Sequence, residues 1–224
     1  MVKWKQNIEF TLITAGSLAV DTFFLISGLL LSYGYLKFKS TFRKNNVHFF
    51  GAFYFLRFFK CVEQSWYLAV DSQLYLISPI ILLNLENRPL KTCMACIAAC
   101  LISGFYAFII TIKNNYTAFF IEGSRGYYQF IYTAAFARMP PWLIGVVLGY
   151  LIFTNQRIRI PKAANLFLWF SCVSLMTYII LIHLVLTRNE YDPLVAAVFN
   201  SCVRPAWALG VGMIIFSCVT GHGG

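Results

Sequence analysis

Uninterrupted apolar runs constrain this chain more than any other feature: residues 10–36, 66–85, 93–112, 136–153, 166–186 and 194–219, each of 18 to 27 residues. At about 1.5 Å rise per residue, a helix of roughly 20 residues crosses the ~30 Å hydrocarbon layer of a bilayer. A soluble domain breaks such runs with polar residues every few positions. Here 59% of the 224 residues are hydrophobic and 12% are charged, against about a quarter charged in ordinary globular proteins. The expected fold is therefore all-α, a polytopic transmembrane helical bundle with about six spanning helices, residues 1–224 forming one domain.

The formal net charge of +10 follows the loops. Lys37, Lys39, Arg43 and Lys44 crowd the first connection, and Arg157, Arg159 and Lys162 the one before residue 166. Lys and Arg collect in short cytoplasmic loops, so the charge reports topology rather than a nucleic-acid partner. Residues 113–133 carry only Lys113 and Arg125 against Glu122, together with the sequon Asn115-Tyr116-Thr117, and are expected to face the lumen or the exterior. Lys3 and Lys5 precede a run about twice the length of a signal-peptide core, which reads as a retained anchor. Counting crossings back from 113–133 makes 86–92 cytosolic and 61–65 luminal. The chain must then cross again between residues 48 and 61, where 49–59 offers too short an apolar stretch and contains Arg57. Either that stretch lies along the interface or a crossing is missing.

Six of the seven cysteines, Cys93, Cys96, Cys100, Cys172, Cys202 and Cys218, fall inside apolar runs, where a thiol behaves as a small hydrophobe. No His or carboxylate joins the first three, so no metal site is expected. Cys61 alone sits in a polar context.

Ionisable residues inside a bilayer are costly and face a bundle interior or a wet cavity, which makes Asp21, Asp71, Arg138, His183 and Arg204 the functional candidates. Arg138 and His183 lie near helix ends, where snorkelling is the competing explanation. Gln64, Tyr67 or Leu68, and Asp71 share a helical face. Two readings of that stripe stand: polar contacts that join helices, or a carboxylate lining a membrane-embedded pocket with Arg57 or Arg138 as its cationic partner.

Four blocks also carry a family resemblance. Val20-Asp21-Thr22-Phe23-Phe24-Leu25-Ile26-Ser27-Gly28-Leu29-Leu30-Leu31-Ser32-Tyr33 resembles the second-helix signature of the acyltransferase-three superfamily, in the animal branch of nose resistant to fluoxetine proteins. Phe53-Tyr54-Phe55-Leu56-Arg57 resembles its cytosolic arginine motif, residues 64–73 its Gln-Ser-Trp-Tyr-Leu carboxylate motif, and residues 137–151 its Arg-Met-Pro-Pro-Trp-Leu-Ile-Gly block. The resemblance implies a larger bundle, of about ten or more helices, of which this chain holds part. Lys60 runs straight into Cys61, where relatives carry a further helix and a luminal loop bearing a partner cysteine, so Cys61 is expected to be a free thiol. No counterpart of the first helix, with its Arg and catalytic His pair, precedes Asp21, and relatives continue beyond Gly224. His48 and His183 do not match the His motif.

By that resemblance the chain is an integral membrane acyltransferase, transferring groups other than amino-acyl groups from a donor of the acyl-coenzyme A type to a hydroxyl acceptor. No bound cofactor is expected. Asp21 and Asp71 take the catalytic part by polarising or orienting groups in the pocket. Arg57 and Arg138 hold anionic parts of the donor, and Trp66 and Gln73 line the substrate site. Because the His base has no counterpart, the chain is expected to be weak or inactive alone. The rival reading is a non-enzymatic carrier of lipids or small amphiphiles. The expected location is the plasma membrane or the endoplasmic reticulum, with the bilayer, the donor and the acceptor as partners.

Overall fold

The structure, a computed structural model, describes residues 8–41, 65–116, 125–154, 161–188 and 192–221. Among these residues are six long helices: α1 Ile8–Thr41, α2 Ser65–Asn87, α3 Pro89–Asn114, α4 Ala135–Thr154, α5 Lys162–Arg188 and α6 Pro193–Val219. A single helical turn, Arg125–Tyr127, passes into a π-helical turn, Tyr128–Tyr132, just ahead of α4. No strand occurs among the described residues. Every apolar run lies inside one of the six helices, but five of them, not six, are long and apolar enough to cross a membrane. The exception is α2, whose Asp71, Ser72, Gln73, Ser78, Asn84 and Glu86 lower its mean hydropathy.

Local chemistry sets the helix ends. Pro89 and Pro193 start α3 and α6 at positions whose N–H has no helical partner in any case. Asp192 caps α6, its Oδ1 accepting from Leu194 N–H at 2.9 Å. α3 stops at Asn115, left-handed at φ 51, with Tyr116 N–H donating back to Thr111 O at 3.0 Å.

The polarity of the bundle is inverted relative to a soluble protein. Leu101, Phe105, Leu166, Phe167 and Phe170 are exposed, while Asp21, Asp71, Arg138 and Arg204 are buried. Apolar side chains facing out and ionisable ones facing in suit hydrocarbon as the solvent. α1 and α4 form the central pair, with α2, α3 and α6 around them and α5 against α6 and α1.

Small residues bring α1 and α4 together. A Cβ added at Gly28 would collide with Trp142 O, and one at Gly145 with Leu25 O. One at Gly149 would strike Ser32 Oγ and Leu29 O. These close approaches give the contact its backbone-on-backbone character. Their register runs the same way on both helices, Leu25 with Gly145 and Ser32 with Gly149, so α1 and α4 are parallel. α2 is parallel to α1 as well, since Ser27 meets Asp71 and Tyr35 meets Glu86. Thr41 and Ser65 therefore lie at opposite ends of the bundle.

Prolines inside helices leave carbonyls without their usual donor four residues on. Pro140 and Pro141 do this to Phe136 O and Ala137 O at the start of α4. Neighbouring helices supply the replacements: Ser103 Oγ on α3 donates to Phe136 O at 2.7 Å, and Arg204 Nη1 on α6 to Ala137 O at 2.9 Å. In α2 the same repair is local, Ser78 Oγ donating to Tyr75 O at 2.7 Å, the carbonyl that Pro79 strands. The double proline thereby ties three helices at one level, where the ionisable residues gather.

Candidate functional site

Asp21 sits on the α1 face turned toward α4, and Arg138 in the first turn of α4. Arg138 Nη1 lies 2.6 Å from Asp21 Oδ1, both side chains 1% exposed. Arg138 Nε donates to Tyr132 O at 2.8 Å, and the guanidinium lies 4.7 Å from the centroid of the Tyr132 ring. The π-helical turn supplies both the carbonyl and the ring, a use of local helix distortion to build a site. A charge pair this deep holds only with good geometry and extra hydrogen bonds, and it has both.

Around this pair, Trp207 Nε1 on α6 donates to Thr22 Oγ1 on α1 at 2.9 Å, and Tyr127 is buried beside Arg204 and Arg138. Burial holds the Tyr127 phenol above its usual pKa, against the opposing pull of the two guanidinium groups. It is a neutral hydrogen-bonding group at physiological pH.

A second station lies further along α1. Ser27 Oγ donates to Asp71 Oδ1 at 2.9 Å and stands 3.3 Å from the Tyr75 hydroxyl. Asp71 is fully buried, and Ser27 is buried with it. At the far end of the same helices Glu86 accepts from Tyr35 at 3.2 Å and pairs with Lys39. Between Asp21 and Glu86 the bundle interior thus carries polar groups along its length on α1, α2 and α4.

The expected site residues divide. Arg138 is enclosed in the bundle and does not snorkel, and its carboxylate is Asp21, not Asp71. Asp71 is met by Ser27. Gln73 is exposed, because two residues along a helix is about 200° of rotation and turns it away from Asp71. It does not share the Asp71 station. Arg57, Gln64, Cys61 and residues 49–59 lie outside the described residues, as do the side chains of Trp66 and His183. Ser27, Tyr75, Thr22 and Trp207 were not singled out from sequence. A serine or threonine in an apolar run carries little signal until its partner across the interface is known. No group of three His, Cys, Asp or Glu able to hold a metal occurs among the described residues.

Residues 40–223 match the acyltransferase domain family. The chain is also similar to nose resistant to fluoxetine protein 6 of Caenorhabditis elegans, 22% identical over 189 residues, which covers 73% of this chain and 22% of that protein. The chain thus spans about a fifth of the length of that curated relative. No solved structure matches.

Proposed function

Because the chain belongs to the acyltransferase-three superfamily, in its nose resistant to fluoxetine-like branch, we propose that it works as a multi-pass membrane acyltransferase. In this reading it moves an acyl group, other than an amino-acyl group, from an acyl-coenzyme A type thioester to a hydroxyl acceptor. The observation that carries it is the family match over 40–223, which takes in the α2 and α4 residues of both buried polar stations. Attack on a thioester needs an oriented hydroxyl and compensation of developing negative charge in a dry site. Asp71, already hydrogen-bonded to a hydroxyl at Ser27, is suited to orienting an acceptor. Asp21 holds Arg138 in place beside Tyr132, and Arg138, together with Arg57, serves the anionic parts of the donor. Of the two α2 residues expected at the substrate site, Gln73 faces away from Asp71 and is set aside, which leaves Trp66. The plasma membrane or the endoplasmic reticulum supplies the bilayer.

The test uses the chain as it stands and joined to the remaining helices of a full-length relative, each in proteoliposomes with a donor radiolabelled in its acyl group. Enzyme action releases free thiol and labels an acceptor. Asp71→Asn in the joined protein should lower turnover about 100-fold or more with insertion unchanged. Unchanged turnover removes Asp71 from the site. Label that crosses the bilayer still attached to its donor replaces the enzyme with a carrier of lipids or amphiphiles.

A further inference from the structure

Arg204 is a buried cation with no ion-pair partner of its own among the described residues. It stands eleven residues beyond Pro193 on α6, about 17 Å along the helix, and its guanidinium reaches the level of the first turn of α4, in the half of the bundle where α4 begins. Its Nη1 caps Ala137 O at 2.9 Å, and among the described residues no carboxylate lies within ion-pair distance of it. The ionisable groups facing it are Arg138, Asp21, Tyr127 and Tyr132. Asp21 is already joined to Arg138, and both tyrosines are phenols. Asp71, held by Ser27 further along α1, does not face it. Among the described residues the local sum is one positive charge, and a guanidinium does not lose it by deprotonation. Charged groups persist inside a bilayer with water or a counter-ion. At 7% exposure, Arg204 is not wholly enclosed.

We propose that Arg204, with the Arg138–Asp21 pair and Tyr127 beside it, binds the anionic head group of a lipid-like molecule, a carboxylate or a phosphate. The burial selects an amphiphile. A free inorganic anion would shed its hydration to arrive there, whereas an amphiphile keeps its chain in hydrocarbon while its head meets a guanidinium suited to carboxylate and phosphate oxygens. This inference stands on charge and burial and is independent of acyl transfer, so either can fail alone.

The alternative is that Arg204 serves only to cap the carbonyl stranded by Pro141. The two roles separate experimentally. Equilibrium binding of radiolabelled dodecanoate, dodecyl phosphate and dodecanol is measured on the purified chain in an uncharged detergent. Binding of the anions at least 10-fold tighter than dodecanol supports the site, and the tighter anion identifies the head group. Arg204→Gln keeps a donor for Ala137 O but loses the charge, and should weaken anion binding at least 10-fold, while Arg204→Lys retains part of it. Pro141→Ala returns an N–H to Ala137 O, so the double variant Pro141→Ala with Arg204→Gln should melt with the unaltered chain and still bind anions poorly. Dodecanol binding as tightly as dodecanoate overturns the proposal, as does undiminished anion binding by the folded double variant. The three-ligand comparison on the unaltered chain decides the matter even where a glutamine variant does not fold.

Discussion

Single residues in this bundle matter most where a charge loses its partner. Asp21→Ala leaves Arg138 buried beside Tyr132 with its carboxylate gone. Removing one member of a buried pair costs about 3–5 kcal/mol, because the remaining charge is enclosed without compensation. Adding Arg138→Met removes that charge and should restore most of the loss, which a double-mutant cycle of unfolding in mixed micelles would detect. A double variant destabilised by the sum of its two single variants would mean that the pair itself contributes little. At the second station Ser27→Ala deletes one hydrogen bond to the Asp71 carboxylate. Its expected cost is smaller, about 1–3 kcal/mol, the range for a buried polar group deprived of a partner.

At the scale of helices, the α1–α4 contact depends on absent side chains. Gly28 and Gly145 each face a carbonyl oxygen where a Cβ would have no room. Gly145→Leu should therefore push the two helices apart and destabilise the bundle by about 1–3 kcal/mol if neighbours adjust as they do in overpacked cores, which thermal unfolding reads as a lower midpoint. Gly34→Leu is the control, since nothing lies within 4 Å of a Cβ at that position, and it should leave the melt unchanged. A similar loss at both positions would show that any leucine is harmful and that the close approach is not the cause. The prolines of α4 work in the opposite sense to the glycines: they strand carbonyls and so recruit Ser103 and Arg204 from other helices.

For the whole molecule, orientation follows from charge and direction together. α1, α2 and α4 run parallel, and Ser103 and Cys100 on α3 meet Phe136 and Pro140 on α4 in reverse order. Described residues 125–134 precede the start of α4 and Thr154 ends it, and of the sequence segments that flank the helix, 113–133 is poor in Lys and Arg and 154–165 rich in them. Single cysteines placed in the two segments should react with a membrane-impermeant maleimide from opposite faces of intact microsomes, the 113–133 site from the lumen only. Labelling of both from one face would mean that α4 does not span. On that orientation the Asp21–Arg138–Arg204 cluster belongs to the luminal half and Lys39–Glu86 to the cytosolic end.

Much of this was legible in the chain itself. The existence and approximate limits of all six helices follow from run length, because hydrocarbon forces each backbone to satisfy its own hydrogen bonds within a segment. That Asp21, Asp71, Arg138 and Arg204 are functional candidates follows from the cost of charge in a bilayer. The spacing Gly145-x-x-x-Gly149 also marks a face for close helix contact, though without naming α1 as its partner. Only the tertiary structure decided the pairing. Asp21 took Arg138 and Asp71 took Ser27, because rotation and register between helices are set by how glycine gaps and stranded carbonyls fit across interfaces. A one-dimensional reading contains the periodicity of each helix but not the angle at which it faces the next. For the same reason Arg204 was one intramembrane charge among several in the sequence. Its position against Arg138, with no carboxylate of its own among the described residues, exists only once α4 and α6 are packed together.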